Sequence, residues 1–451
     1  MKTNKPRMYY GWVIVAVSYI TLFFSVGLRN SFGVFFIAIL HEYGWGRAET
    51  AGAFSLAMIA HALFAPVTGT LVDRFGPRML FPFGAILLII GLVACSFIAA
   101  IWHLYLFFGV FVAVGINTLS YAPHMSIIPK WFIRKRGLAS GIVLAGIGMG
   151  TMFILPLVEY LIGIMGWRSA YLVLAGIVLC VVVPCNALLQ RRSPREVGQH
   201  PDGIAPDSKR PPISSKAKCP QPGDDHFPPG GWSLKAALST SAFRFLFLTT
   251  FTNGFLINLL LVHQAVHMVD IGYSEMLAAS LVGVVSLLGS LSGIGYGFVS
   301  DRIGRETGYT IGNGLAFSGL LFLLFMRDTS STLMLYAFVF LYGIGYGAIP
   351  PMTASATGDL FPGNALGRIL AMQSIGFGMG AALGAYAGGC FYDQMKSYEI
   401  PFVLLLFSIV LGVLGIWLAA PRRMRYRRSS LDFDPENPVE HGICRSKQGP
   451  A

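Results

Sequence analysis

The feature that most constrains this chain is a set of long apolar runs without a single charge. Phe81 to Ala100, Leu104 to Ala122, Tyr171 to Leu189 and Phe402 to Ala420 contain no Asp, Glu, Lys or Arg. Uncharged runs of roughly 18 residues or more, wound as helix, match the hydrocarbon thickness of a bilayer. With 54% hydrophobic against 12% charged residues in 451, a water-soluble fold has no way to cover them.

Twelve spans are expected, approximately Tyr10 to Leu40, Ala48 to Val72, Met79 to Ala100, Trp102 to Ile128, Leu138 to Met165, Ser169 to Leu189, Phe243 to Val269, Glu275 to Val299, Thr310 to Phe325, Leu333 to Thr357, Gly367 to Phe391 and Pro401 to Ala420. Lys2, Lys5 and Arg7 precede the first, which is too long for a signal-peptide core and lacks a small-residue cleavage site, so it reads as a retained helix. Six scattered cysteines have no metal-type spacing and read as small buried hydrophobes where they fall in the runs.

The net charge of +12 is a topology signal. Arg74, Arg78, Lys130, Arg134, Lys135, Arg136, Arg302, Arg305, Arg368 and Arg422 to Arg428 all fall in even-numbered connections or near the termini. The opposite side keeps only Arg47, Arg168, Arg327 and Lys396. Basic loops stay in the cytoplasm, which places both termini there and leaves no nucleic-acid footprint to explain. Between Gln190 and Thr240 the hydropathy gives way to Pro, Lys, Ser and Asp, a composition that buries no core. The expected organisation is an N-terminal six-helix bundle over 1–189, a flexible cytoplasmic linker over 190–240, a C-terminal six-helix bundle over 241–420 and a disordered cytoplasmic tail over 421–451.

The two halves repeat each other. A shift of 228 residues brings Gly44-Trp45 onto Gly272-Tyr273, Gly69 onto Gly297, Asp73-Arg74 onto Asp301-Arg302, Gly76 onto Gly304 and Asn30 onto Asn258. Gly148-Met-Gly recurs as Gly378-Met-Gly, two residues out of phase. Internal symmetry of this kind puts a binding site near the midplane between the repeats. Gly289, Gly293 and Gly297, and again Gly376, Gly380, Gly384 and Gly388, recur every four residues and form smooth strips for close helix packing. The fold class is therefore an all-α membrane protein of twelve transmembrane helices in two pseudo-symmetric bundles.

The segment Gly69-Thr-Leu-Val-Asp73-Arg74-Phe-Gly76-Pro-Arg78, with its second copy from Gly297 to Arg305, closely resembles the signature loop of the major facilitator superfamily. The resemblance extends to Trp131-Phe132, Arg136-Gly-Leu-Ala and Gly166-Trp167-Arg168. It implies that fold, and a cytoplasmic conformational latch formed by Gly69, Asp73, Arg74, Gly76, Arg78, Gly297, Asp301, Arg302, Gly304 and Arg305. Tyr9-Tyr10-Gly11-Trp12 and Arg29-Asn30-Ser31-Phe32-Gly33-Val34-Phe35-Phe36 look like the monocarboxylate transporter and oxalate:formate antiporter branch. That branch carries further charges in spans eight or eleven, whereas span eight here offers Gly289, Ser290, Ser292 and Gly293, and span eleven has no Lys.

Arg29 lies about 17 residues beyond Trp12, roughly 25 Å along the helix and inside the apolar span. A charge there costs ~3 kcal/mol or more, and its counterpart in the second half is Ile257, so the scaffold itself needs no cation. It reads as a substrate-anion ligand or as a snorkelling, salt-bridged structural Arg. Glu159, near the outer end of span five, reads as its partner, a proton carrier or an exposed carboxylate. The resemblance makes spans one, four, seven and ten line the cavity. Their polar residues Asn30, Asn117, Tyr121, His124, Asn258, His263, Gln264, Tyr342 and Tyr346 join Arg29 as candidate substrate ligands. His124 is also a candidate proton carrier. His263 and His267, one turn apart, lack the third ligand a metal needs, and no metal is expected.

No phosphate-binding loop, nucleophile elbow or zinc-helix motif is present, so neither catalytic residues nor a cofactor are expected. The leading expectation is a secondary active transporter, working by alternating access in the cell (inner) membrane, that carries a small organic anion, a monocarboxylate, by ion symport, with a proton the candidate ion, or by exchange. The rivals are an exporter of neutral or cationic drug-like solutes and a non-transporting membrane sensor or scaffold.

Overall fold

The computed structural model describes residues 9–132, 135–203, 232–362 and 365–419. The side chains of Asp73, Arg136 and Asp301 lie outside that description, as do residues 204–231 of the expected linker and the whole expected tail.

Among the described residues there is no strand, and eleven continuous helices are long and apolar enough to cross a membrane. The longest, Leu138–Leu189, has 52 residues. At 1.5 Å per residue it would reach about twice the thickness of a bilayer. It is two spans, because Gly166 leaves the helical region with φ 78° and ψ 158°. We number the spans α1 (Gly11–Tyr43), α2 (Arg47–Phe75), α3 (Pro77–Cys95), α4 (Ile101–Trp131), α5 (138–165), α6 (167–189), α7 (Ser241–Asp270), α8 (Glu275–Ile303), α9 (Arg305–Phe325), α10 (Thr332–Leu360), α11 (Leu366–Met395) and α12 (Glu399–Ala419). Twelve spans and six per half agree with the sequence.

The repeat is visible in the backbone. Gly44 and Gly272, at the first turns of the two halves, have φ 63° and 107°. Gly76 and Gly304, in the two copies of the signature loop, have φ 78° and 97°. L side chains avoid this region, which is why glycine stands at both members of each pair. At the two-residue offset of span five, Gly166 corresponds to Lys396, and Lys396 also has a positive φ of 55°.

Glycine strips do the packing. Gly146 and Gly150 on α5 approach the backbone carbonyls of Tyr19 and Phe23 on α1. In the second half Gly376, Gly380 and Gly384 on α11 meet Phe247, Phe251 and Phe255 on α7. These contacts occur at every fourth residue on both helices, and at Gly146, Gly150, Gly380 and Gly384 the two backbones close together without a side chain between them, while Gly376 receives the Phe247 ring. The α8 strip is spent within its own half, with Gly289 against the Tyr346 ring and Gly293 against the Gly347 carbonyl of α10.

Between the halves, α2 packs on α11 and α5 on α8. These contacts run from the middle of the spans to the end that carries the odd-numbered loops: Gly148 on Ser286 and Ser290 and Gly378 on Met58 and Ala62 near the middle, Gly283 on Met152 and Gly389 on Arg47 and Ala48 farther out. Toward the even-loop end, a Cβ at Gly69, Gly141, Gly295, Gly297 or Gly367 would meet nothing within 4 Å. The same four helices are therefore joined at the odd-loop end and parted at the other.

The polar stretch after α6 does not begin as free chain. Gln190 and Pro194 are buried, the Gln199 Oε1 accepts a 3.1 Å hydrogen bond from the Tyr10 amide, and a short helix, Leu234–Ser239, precedes α7. A fall in hydropathy marked the end of the membrane span, while packing continues for about a dozen residues through polar contacts.

Lys396 tests the turn logic. Lys396→Gly should stabilise the fold by about 1 kcal/mol and Lys396→Val should destabilise it by at least as much, read as opposite shifts in thermal unfolding.

Candidate functional site

Three of the four expected cavity helices are broken near their middles. α1 turns at Ser31, between Gly11–Asn30 and Phe32–Tyr43. α4 runs from a π-helical turn, Phe107–Val112, to a break at Leu119 and Ser120. α10 breaks at Gly347 and Ala348, just before Pro350 and Pro351, which have no N–H to give to the preceding turn. Only α7 is continuous. Arg29 and Asn30, Asn117 and Tyr346 stand beside the three breaks, where helix irregularity faces protein or cavity and not lipid.

Arg29 is half-buried and lines a small, mainly apolar pocket together with Ala57, Met58, His61, Phe108 and Ile116. Its Nε donates to Asn30 Oδ1 at 3.3 Å, and among the described residues no carboxylate pairs with it. Tyr346, from the other half, and His61, from α2, lie within electrostatic reach of the guanidinium. Asn30 in turn donates to Thr151 Oγ1 at 2.9 Å, which ties the α1 break to α5.

The other candidates divide by what they already bond. Asn117 is committed to packing: it accepts from Thr68 Oγ1 at 2.5 Å and donates to the His61 carbonyl at 2.7 Å. That bond holds the His61 turn of α2 against the α4 break. Asn258 donates to Gly254 one turn back at 2.9 Å, and His124 is fully buried against Ser18 Oγ at 3.1 Å and the Phe81 ring. Tyr121 is exposed, Tyr342 is buried in a stack between Phe338 and Tyr346, and Gln264 is buried with its Oε1 unbonded. Glu159 is not a partner of Arg29; it lies beside Glu275 across the halves, with His41 Nδ1 3.8 Å from the Glu275 carboxylate.

His263 belongs to a second constellation, at the closed odd-loop end. Arg47, the first residue of α2, forms a two-toothed ion pair with Asp270 at the end of α7, at 2.6 and 2.9 Å. Its guanidinium also donates to Tyr398 Oη at 2.8 Å and lies 3.6 Å over the Tyr392 ring. Asp393, at the end of α11, accepts from the Arg47 and Ala48 amides at 3.0 and 2.8 Å. These are the orphan amides of a helix N-terminus, here capped by a carboxylate from the opposite half. Ser55 Oγ adds a 2.7 Å bond to the Ala382 carbonyl one level deeper.

Of the expected latch residues, Arg78 donates to the Ala187 carbonyl at 3.1 Å and Arg305 pairs with Asp359 at 3.1 Å, each within its own half. Arg74 and Arg302 lie over the neighbouring Phe75 and Phe298 rings. Sequence reasoning did not single out His61, Asp270, Asp393 or Tyr398. Arg47 did stand out there as one of four cations on its side, and the carboxylates end their helices where hydropathy stops, so the signal lay in span-end charges that were read only for topology.

Comparison with known proteins identifies the family to which this fold belongs. The family model described as Major Facilitator Superfamily matches residues 18–296 and 246–441. The chain belongs to the major facilitator superfamily. Its members are transporters of small molecules and not enzymes, and this one is a multi-pass membrane protein. Among curated relatives, monocarboxylate transporter 13 of Bos taurus is 26% identical over 426 residues, covering 93% of this chain and 91% of the relative. Monocarboxylate transporter 3 of Rattus norvegicus is 27% identical over 450 residues, covering 96% and 84%. Among solved structures, a bacterial homolog of the human lysosomal transporter Spinster, in an inward-facing and unoccupied conformation, aligns with a TM-score of 0.65 at 16% identity, covering 96% of this chain and all (100%) of that one.

In this superfamily member, the Asp393 cap is a closed-end contact that any opening there must break. Asp393→Ala should cost the closed state about 1 kcal/mol, a shift of about fivefold toward opening. Spin-label distances between the odd-loop ends of α2 and α11 would report it as a larger separated fraction.

Proposed function

We propose that this chain is an alternating-access secondary transporter of a small organic anion, a monocarboxylate, in a state open to the cytoplasm. The observation that carries the reading is the Arg29 guanidinium, held in a space at the helix breaks with no carboxylate partner among the described residues. An uncompensated cation at that depth is costly, and a carboxylate ligand offsets the cost with charge-assisted hydrogen bonds. Tyr346, from the second half, lies within electrostatic reach of the same guanidinium. The relatives named monocarboxylate transporters support the choice of anion.

The reading of the orientation is supported by the basic even-numbered loops: positively charged loops favour the cytoplasmic side, so that end and both termini face the cytoplasm, with the protein in the cell (inner) membrane. The parted even-loop end is then the cytoplasmic one, and the Arg47 constellation is the outer gate. In this arrangement the two six-helix bundles, 1–189 and 241–420, rock about the site, with 190–240 and the tail cytoplasmic. The signature-loop residues act as the inner latch when that end closes. Asn30 and Asn117 serve the site by holding the breaks of α1 and α4, and His61 lies on its wall.

Uptake of labelled monocarboxylates into proteoliposomes tests the proposal. Losing a charge-assisted hydrogen bond costs about 1.5–3 kcal/mol, so Arg29→Ala should weaken apparent affinity by roughly ten- to a hundredfold. Arg29→Lys should fall between. If folded Arg29→Ala transports like wild type, or if neutral and cationic solutes compete where carboxylates do not, the anion site is refuted.

A further inference from the structure

We propose that His263 is a proton-binding site coupled to the outer gate, and that its protonation opens the odd-loop end. The inference rests on the alternating-access reading and adds a coupling ion to it.

The hydrogen-bond chain around His263 determines where its proton is. Nε2 lies 2.8 Å from the Ala385 carbonyl oxygen, which only accepts, so Nε2 carries the hydrogen. Nδ1 lies 3.1 Å from Tyr398 Oη. That hydroxyl oxygen already accepts from the Arg47 guanidinium at 2.8 Å, so its own hydrogen is free to donate to Nδ1. The chain runs without a mismatch from Asp270 through Arg47, Tyr398 and His263 to Ala385, crossing α7, α2, the turn before α12 and α11. It requires a neutral imidazole.

A second proton has to go on Nδ1. The Tyr398 oxygen would then face two cationic donors, and its own hydrogen would lose its acceptor. The imidazolium would be fully buried. The groups facing it from each side are Arg47 on α2, Asp393 on α11, Tyr398 in the turn and the uncharged Phe36 ring on α1, with His267 and Asp270 on its own helix. Both carboxylates are already engaged, Asp270 by Arg47 and Asp393 by the α2 amides. On one side the ring is packed against Gly388, where a Cβ would overlap it. A protonated His263 is thus compatible only with a gate that has come apart.

The sign follows. The closed gate binds fewer protons than the open one, so acid drives opening. With an ordinary histidine value of ~6.5 in the open state, the opening equilibrium should rise by about tenfold between about pH 7.5 and about pH 5.5. An acidic exterior would open the gate outward and load a proton from that side.

Hydrogen–deuterium exchange on the full chain in nanodiscs reads this directly, since the Arg47 and Ala48 amides are bonded to Asp393 only while the gate is closed. After correction for intrinsic rates, their exchange should quicken about tenfold over that pH interval in wild type, and stay level in His263→Gln. His267→Gln should keep the wild-type response, and Tyr398→Phe should exchange faster at both pH values. Exchange that is independent of pH in wild type overturns the proposal, as does an unchanged response in His263→Gln, its loss in His267→Gln or wild-type exchange in Tyr398→Phe. No substrate is present in the measurement, so its failure leaves the anion site standing, and failed anion uptake leaves the proton site standing.

Discussion

Lipid provides no hydrophobic drive between helices, and the architecture depends on that constraint. Apolar faces gain nothing by leaving hydrocarbon for one another, so association comes from close backbone approach and from polar contacts. The glycine strips of α5 and α11 supply the first, bringing them onto α1 and α7 at every fourth residue. Contacts of this kind are dispersive and smooth. Within a bundle they are many. Between bundles they run from the middle to one end, and at that end they are reinforced by the ions of the Arg47 constellation.

The distribution of polar bonds separates what is rigid from what has to move. Asn117, Thr68 and the His61 carbonyl are fully used inside the first half, as are Arg305 and Asp359 inside the second. The bonds of Arg47 and Asp393 run between halves and are formed at one end only. An ion pair this close to the surface, with Arg47 and Asp270 side chains 15% and 29% exposed, is held in water-accessible surroundings where breaking it is far less costly than at the midplane. Charge at the ends and smooth packing in the middle is a division suited to rocking.

Much of the fold was legible because its determinants are local. Span length, loop charge and the turn glycines each act within a few residues, and Gly44, Gly76, Gly272 and Gly304 have the positive φ that their recurrence implies. The site was legible only in part. Arg29 is conspicuous because its cost is local, a charge in an apolar run. His61 is not, because nothing in Ala60-His61-Ala62 shows that this turn of α2 faces the α1 break. His263 and His267 look alike as a one-turn pair, yet one bonds through both ring nitrogens while the other packs edge-on against Tyr398 and Phe402.

The sequence by itself determined that the chain crosses a membrane twelve times, that its halves are copies, and that a single arginine breaks their symmetry within the apolar layer. Those properties follow from hydropathy, period and composition, which need no partner. Only the tertiary structure decided which end is closed and which residues close it. Arg47, Asp270, Asp393 and Tyr398 are separated by up to 351 positions along the chain and acquire meaning only when two bundles meet. A charge at a span end is equally stable facing water or facing a distant helix terminus, and the choice between them is made by packing.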